Sequence, residues 1–214
     1  MKIEYYILGA GGFAKEVCFL ANELLDENHH FMGFIDFKPL DKIITVRGQE
    51  ENVIDEEYFF KHIKASEKIN IYNGIGDPKL LDKFSKIFKN YSFPNLIHPN
   101  FVGDRRSIQL GIGNIITAGC VFTVDIQIGS NNIFNLNTTI GHDTIIGDCN
   151  VFNPGVNISG NVKIGDRNLF GTNSTVLQML HINDDNILGA SSLATKNINN
   201  NSIMIGVPAK EKHI

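Results

Sequence analysis

The chain has 214 residues and a formal net charge of -4, and 43% of its residues are hydrophobic and 20% charged. This composition is typical of a folded globular protein, and the length suits two small domains. No run of Lys or Arg is dense enough for a nucleic-acid or membrane-surface protein, so neither kind of partner is expected.

The three cysteines, Cys18, Cys120 and Cys149, are odd in number and lack a CxxC spacing. They therefore predict neither a disulfide framework nor a zinc site, and no metal is expected. The apolar run at the amino terminus is too short for a signal peptide, and no stretch approaches the ~20 apolar residues of a membrane span. We expect a cytoplasmic protein without membrane insertion.

Strand and helix patterns alternate in the first part of the chain, which predicts a small parallel sheet in a Rossmann-like α/β domain over residues 1–92. Apolar periodicity and turn residues predict strands at residues 2–8, 31–35 and 68–72, and helices at residues 14–25 and 80–88.

A six-residue repeat fills the second part of the chain. From Leu110 every sixth residue is bulky and apolar through fourteen successive positions, which are Leu110, Ile116, Phe122, Ile128, Phe134, Ile140, Ile146, Phe152, Ile158, Ile164, Phe170, Val176, Ile182 and Leu188. Neither a helix nor a hairpin repeats at six residues. We therefore predict a left-handed parallel β-helix, a hexapeptide-repeat solenoid, over residues 93–214.

A longer period of eighteen residues supports three hexads per coil. Five asparagines follow this period, namely Asn114, Asn132, Asn150, Asn168 and Asn186. We expect them to stack at one corner in the left-handed backbone conformation that Asn tolerates. The same period predicts that Phe134, Phe152 and Phe170 stack in the core.

A glycine-rich turn lies where the first strand meets the first helix. Gly9, Gly11 and Ala14 have the spacing GxGxxA, and Asp36 ends the next strand. The glycines and the helix amino terminus suit a pyrophosphate, and the acid suits ribose hydroxyls, so the motif predicts nucleotide binding. A tight turn without a ligand is the alternative. The domain has room for only about one mononucleotide-binding half, so nicotinamide-dependent oxidoreduction is disfavoured.

His142 follows a repeat glycine and precedes Asp143. An imidazole can titrate near neutrality, and an adjacent carboxylate can orient it, so the pair is a candidate general base. A histidine that a strand merely tolerates is the alternative. The remaining histidines are interpreted as structural or surface residues: His29, His30, His62, His98, His181 and His213.

Three motifs together resemble the bacterial family of nucleotide-4-aminosugar N-acetyltransferases and sialic-acid O-acetyltransferases. They are residues 6–13 (YILGAGGF), the pair His142 and Asp143, and residues 205–210 (IGVPAK). The resemblance covers essentially the whole chain. It implies a homotrimer with active sites between subunits, acetyl-CoA as co-substrate, and a UDP- or dTDP-linked 4-amino-4,6-dideoxy sugar as acceptor in surface-glycan (lipopolysaccharide or O-antigen) synthesis.

The resemblance also implies roles for individual residues. His142 would be the base and Asp143 would orient it. The expected substrate-binding residues are Gly9, Gly11, Gly12, Phe13, Asp36 and Asn135, and the expected acetyl-CoA-binding residues are Gly160, Ala190, Ser191, Gly206 and Lys210.

Two positions depart from the family. Some relatives carry a second histidine in the coil after the first, where this chain has residues 149–151 (CNV), and Phe13 replaces a polar residue in the nucleotide loop of some relatives. Two other functions fit the same sequence: O-acetylation of a sialic-acid type sugar, and a non-catalytic solenoid that binds a nucleotide sugar.

Overall fold

The computed structural model describes residues 2–63 and 69–212. The first domain contains β1 (Ile3–Leu8), α1 (Gly12–Leu24), β2 (His29–Asp36), β3 (Ile43–Val46), β4 (Gln49–Asp55), α2 (Glu56–His62), β5 (Ile69–Asn73) and α3 (Pro78–Ile87). Its five strands form one sheet in the order β3-β4-β2-β1-β5. Strand β1 pairs in parallel with β2 and β5, which confirms the predicted parallel sheet.

Sequence analysis missed the antiparallel hairpin of β3 and β4 and the short helix α2. The hairpin turn is formed by Arg47 and Gly48, both with positive φ (52° and 79°). That turn type usually carries Asn-Gly or Asp-Gly, so Arg-Gly gives little signal. Strand β4 is also rich in acidic and amide residues, which hides its alternation.

Helix α3 begins with two residues that favour a helix start, Asp77 as the N-cap and Pro78 in the first turn. The Asp77 carboxylate accepts a hydrogen bond from the Leu80 N–H at 2.9 Å, and Pro78 occupies the first turn. Leu81 and Phe84 then point into the domain core. The opposite side of α3 stays exposed, so this helix can serve both the core and a surface.

The second domain is a β-solenoid of short strands arranged as three faces. They are β6 (Leu96–Ile97), β7 (Ile108–Leu110), β8 (Ile115–Ile116), β9 (Val121–Phe122), β10 (Ile126–Ile128), β11 (Ile133–Phe134), β12 (Thr139–Ile140), β13 (Ile145–Ile146), β14 (Val151–Phe152), β15 (Asn157–Ile158), β16 (Lys163–Ile164), β17 (Leu169–Phe170), β18 (Thr175–Val176), β19 (His181–Ile182), β20 (Ile187–Leu188), β21 (Leu193–Ala194), β22 (Ile203–Ile205) and β23 (Lys210–Glu211). The face that contains β8, β11, β14 and β17 is called the domain face. Parallel partners such as Ile133 and Val151 are eighteen residues apart, which confirms three hexads per coil.

The asparagines stack as predicted, but their backbone conformation was predicted wrongly. The Asn132 side-chain oxygen accepts a hydrogen bond from the Asn150 N–H at 2.8 Å, and the same bond recurs between Asn150 and Asn168. The positive φ angle belongs to the preceding residue, as at Cys149 (57°) and Arg167 (57°). The chain turns one residue earlier, so that each asparagine side chain points into the solenoid and bonds the next coil. These turns, at residues 111–114, 129–132, 147–150, 165–168 and 183–186, form the asparagine corner.

The predicted aromatic stack is present in the core. The rings of Phe134 and Phe152, and of Phe152 and Phe170, have centroids 4.7 Å apart and planes within 7° and 2° of parallel. All three side chains are fully buried. The stack follows from the parallel register, which places residues eighteen apart directly over one another.

The first domain packs on the domain face. The outward side chains of Ile115, Ile133 and Val151 are buried in the same apolar cluster as the core of the first domain. Asn73, at the end of β5, donates a hydrogen bond to the Gly113 carbonyl at 2.9 Å. Ser92 forms a β-bridge with Asn70 of the first sheet, whereas β6 already pairs with β8 of the solenoid. The chain therefore passes from the first domain to the second over residues 92–96.

Truncation of Phe152, the central ring of the phenylalanine stack, tests how much that stack stabilises the solenoid. We expect Phe152→Ala to lower the free energy of unfolding by about 3–5 kcal/mol, because the ring is lost from a site that stacked neighbours keep from collapsing. Denaturant unfolding followed by circular dichroism measures the change. The exposed substitution Lys163→Ala on β16 is the control and should change stability by less than about 0.5 kcal/mol. Equal effects of the two substitutions would contradict the stack as a stabilising feature.

Candidate functional site

His142 and Asp143 form a hydrogen-bonded pair at another corner of the solenoid. The Nδ1 atom of His142 lies 2.7 Å from the Oδ2 atom of Asp143, and 64% and 60% of the two side chains are exposed. In the neutral ring, an Nδ1–H that donates to a carboxylate leaves Nε2 free to accept a proton. This corner comprises residues 123–126, 141–144, 159–162 and 177–180 and is called the histidine corner.

Gly160 of the next coil lies against the His142 ring. A Cβ atom at position 160 would stand 2.5 Å from the His142 Nε2 atom and 2.7 Å from Cε1, closer than real contacts allow. The Asn161 N–H also donates to the His142 carbonyl at 2.6 Å. Two constraints therefore orient the imidazole: Asp143 at Nδ1, and the absence of a side chain at position 160.

The glycine-rich turn and Asp36 meet at the carboxyl edge of the first sheet. The Asp36 Oδ2 atom accepts a hydrogen bond from the Ala10 N–H at 2.9 Å, and its Oδ1 atom accepts one from the Lys38 N–H at 3.2 Å. Helix α1 starts at Gly12, and the preceding Gly11 provides no side-chain cap. The first N–H groups of the helix are therefore available to an anion.

A cavity of about 440 Å³ opens at this edge and is called the edge pocket. It contains the predicted residues Gly9, Gly11, Gly12, Phe13 and Asp36. The volume falls in the usual range for small-molecule sites. The structure thus brings together every predicted nucleotide-binding residue of the first domain.

Sequence analysis missed the opposite wall of the edge pocket. The wall is formed by Phe37, Lys38, Gly74, Ile75, Gly76, Asp77, Leu80, Lys83 and Phe84. The run of residues 73–77 (NGIGD) after the third parallel strand was the available signal. In a parallel sheet, the carboxyl ends of neighbouring strands share one edge, so this loop had to lie beside the glycine-rich turn.

The other predicted residues lie in the solenoid, apart from the edge pocket. Asn135 is 8% exposed, and its Oδ1 atom has no hydrogen-bond partner within the described ranges 2–63 and 69–212. Ala190 and Ser191 form a turn of the last coil. The carboxy-terminal tail folds back there, because the Gly206 N–H donates to the Ser192 side chain at 2.9 Å and Lys210 pairs with β22.

The edge pocket and His142 lie on different sides of one chain. The first domain covers the domain face and touches the asparagine corner through Asn73. The histidine corner joins the two remaining faces. The body of the solenoid therefore separates the pocket of a chain from the His142 of that same chain.

The cysteines are buried and free. Burial raises the pKa of the Cys18 and Cys120 thiols to about 11 and that of Cys149 to about 12, so all three stay protonated at neutral pH. Within the described part of the chain, no three or more metal-binding side chains gather, and no helix has the length and apolarity needed to cross a membrane.

Comparisons with solved structures give matches along the full chain. PerB from Caulobacter crescentus, in complex with CoA and GDP-perosamine, is 26% identical with a TM-score of 0.84 over 98% of this chain and 97% of that chain. The acetyltransferase domain of PglB from Neisseria gonorrhoeae, in complex with acetyl coenzyme A, is 22% identical with a TM-score of 0.86 over 99% and 100%. WeeI from Acinetobacter baumannii is 24% identical with a TM-score of 0.84 over 99% and 100%.

The chain is an acetyltransferase with the fold of these hexapeptide β-helix proteins. No protein-family model matches it, and no curated protein matches its sequence. The likeness therefore rests on the fold, with PerB also sharing about a quarter of the residues. The small parallel-sheet domain followed by a β-solenoid, which the sequence predicts, matches the architecture of PerB over nearly the full chain.

Addition of one methyl group at position 160 tests the orientation of the His142 ring. We expect Gly160→Ala to keep the fold but to turn the His142 ring away and break its hydrogen bond to Asp143, because the new Cβ would overlap the ring. Imidazole NMR signals, assigned with His142→Gln, report the change. The control is Gly76→Ala, where an added Cβ meets nothing within 4 Å. Unchanged His142 signals in Gly160→Ala would contradict the packing.

Proposed function

We propose that this acetyltransferase moves the acetyl group of acetyl-CoA to the 4-amino group of a nucleotide-linked 4-amino-4,6-dideoxy sugar, in surface-glycan synthesis. The observation that carries the proposal is the exposed pair of His142 and Asp143 on a chain that matches PerB over nearly its full length. The edge pocket, of a size that suits a nucleotide, adds a place for the acceptor.

The chemistry needs one base. The Nε2 atom of His142 takes a proton from the acceptor amine while the amine nitrogen bonds the thioester carbonyl carbon. The carbon–sulfur bond then breaks, and the proton on His142 passes to the departing CoA thiolate. Asp143 keeps Nδ1 occupied and stabilises the imidazolium that forms in between. A similar enzyme supports a role for a histidine, because perosamine N-acetyltransferase was also solved as variants in which a single histidine is replaced by Asn or Ala.

The backbone of Gly160 offers a group for the developing oxyanion. Its N–H donates to no acceptor within the described part of the chain, whereas the neighbouring Ser159 and Asn161 N–H groups are bonded. A free N–H beside a base is the donor type that stabilises acyl-transfer intermediates. We therefore assign Gly160 to the acetyl-CoA site. The resemblance of the sequence to the acetyltransferases adds Ala190, Ser191, Gly206 and Lys210 to the same site. Asn135, with its unpartnered Oδ1 atom, is assigned to the acceptor side.

The edge pocket is assigned to the nucleotide. The free N–H groups at the start of α1 suit the diphosphate, and Asp36 suits the ribose hydroxyls. PerB was solved with a GDP-linked sugar. GDP therefore joins UDP and dTDP as a candidate nucleotide of the acceptor.

The separation of the edge pocket from His142 favours a shared active site in a homotrimer. An amino sugar held in the pocket of one chain would meet the His142 of a neighbouring chain. The histidine corner also exposes apolar side chains that a neighbouring chain would cover: Val124 is 45% exposed, Leu177 41% and Met179 64%. A site built from two copies needs a closed assembly, and a three-fold ring of heterologous contacts provides it.

The buried free thiols suit the reducing cytoplasm, where we place the enzyme.

Release of free CoA thiol tests the reaction. We expect turnover with acetyl-CoA and at least one UDP-, dTDP- or GDP-linked 4-amino sugar, and a loss of about 100-fold or more in His142→Ala, because general bases contribute about that much. His181→Ala, on the exposed β19, is the matched control and should keep full activity. Turnover only on sialic-acid hydroxyls would replace the proposal with O-acetylation. Nucleotide-sugar binding without any acetyl transfer would indicate a non-catalytic solenoid.

Mixing of inactive variants tests the shared site. Gly11→Asp, which adds a carboxylate to the edge pocket, and His142→Ala are unfolded together and refolded as mixed assemblies. If pocket and base come from different chains, about a quarter of the sites regain both functional parts in a 1:1 mixture, and about a quarter of the activity returns. Activity that stays at the level of the separate variants would show that each chain works alone.

A further inference from the structure

We propose that Lys83 reads the nucleobase of the acceptor and that the edge pocket selects bases with a carbonyl at C4 of a pyrimidine or C6 of a purine, namely uracil, thymine or guanine, over cytosine and adenine, which carry an amino group there. The inference rests on the proposed function, because it takes the edge pocket as the nucleotide site. It adds the chemical class of the base.

The pocket has a phosphate end and a base end. The start of α1 at Gly12 is the anion-binding end. Asp36, fixed by the Ala10 N–H, marks the ribose position of a mononucleotide-binding half. Beyond Asp36 the wall becomes aromatic, where Phe37 and Phe84 meet with ring centroids 6.3 Å apart. A flat, partly apolar base fits that end.

Lys83 places an unpaired ammonium at the base end. Its Nζ atom lies 4.0 Å from the centre of the Phe37 ring and 5.8 Å from that of Phe84. Among the residues that the structure describes, no carboxylate pairs with it. The nearby Asp82 pairs instead with Lys86, at 2.7 Å.

Each carboxylate of the pocket is held by backbone N–H groups, and neither pairs with a lysine among the residues that the structure describes. Both Asp36 oxygens accept backbone N–H groups, and Asp77 accepts the Leu80 N–H as the cap of α3. The aromatic contact holds the Lys83 ammonium near the pocket by a cation–π interaction. The Lys83 ammonium is therefore available to a ligand.

An ammonium group donates hydrogen bonds and accepts none. Uracil, thymine and guanine present a carbonyl oxygen where cytosine and adenine present an amino group, which is itself a donor. A carbonyl can bond Lys83, whereas an amino group at the same place leaves two donors facing each other. The pocket chemistry therefore favours uracil, thymine and guanine.

Calorimetric binding of UDP, CDP, GDP and ADP to wild-type protein, Lys83→Met and Lys86→Met tests the inference. Methionine keeps the apolar stem of Lys83 and removes its charge. Lys86→Met, one turn further along α3 and outside the edge pocket, is the matched control. Because one hydrogen bond to a charged group is lost, we expect UDP and GDP to bind wild type about tenfold tighter than CDP and ADP. The difference should vanish in Lys83→Met and persist in Lys86→Met.

Other outcomes overturn the inference in distinguishable ways. If Lys83→Met weakens all four nucleotides equally, Lys83 contacts the diphosphate and does not read the base. If it changes none of them, Lys83 lies outside the occupied part of the pocket. If wild type binds no nucleotide at all, the proposed function loses its acceptor site as well.

Discussion

The parallel register of eighteen residues between coils is the constraint on which the rest of the structure depends. From β7 to β21, each strand pairs with residues eighteen positions away, so a side chain there lies over the residue one coil later. Residues that stack well on themselves therefore recur, as in the phenylalanine column and the asparagine ladder. Each coil alone is too small to bury its apolar side, and stability comes from the contact between coils.

The same register explains how a reactive group can be placed on this scaffold. The residues stacked at one position of the histidine corner are Val124, His142, Gly160 and Gln178. Gly160, which has no side chain, leaves space for the His142 ring. The orientation of the imidazole is thus set by the next coil as well as by its neighbour Asp143. A scaffold of backbone hydrogen bonds holds both constraints rigidly, which suits the proposed role of His142 as a base that meets its substrate in one geometry.

The junction between the domains determines where the edge pocket and His142 lie relative to each other. Burial of Ile115, Ile133 and Val151 commits the domain face to the first domain, and Asn73 ties the end of β5 to the asparagine corner. Strand β5 ends beside the edge pocket, so the pocket is fixed relative to the solenoid. The histidine corner lies away from the domain face and carries exposed apolar residues.

The sequence by itself determined the solenoid, because its period is repeated so often that no other structure accommodates it, and it determined the glycine-rich turn and the His142 pair, because both are local motifs. Only the tertiary structure decided what depends on neighbours distant in the chain. It placed the left-handed turn one residue before each stacked asparagine, turned the His142 ring onto Gly160, and brought Lys83 and Phe37 into the edge pocket. Those contacts join residues from separate coils, or from strands and helices whose edge is shared only after the sheet has formed, so no local pattern records them.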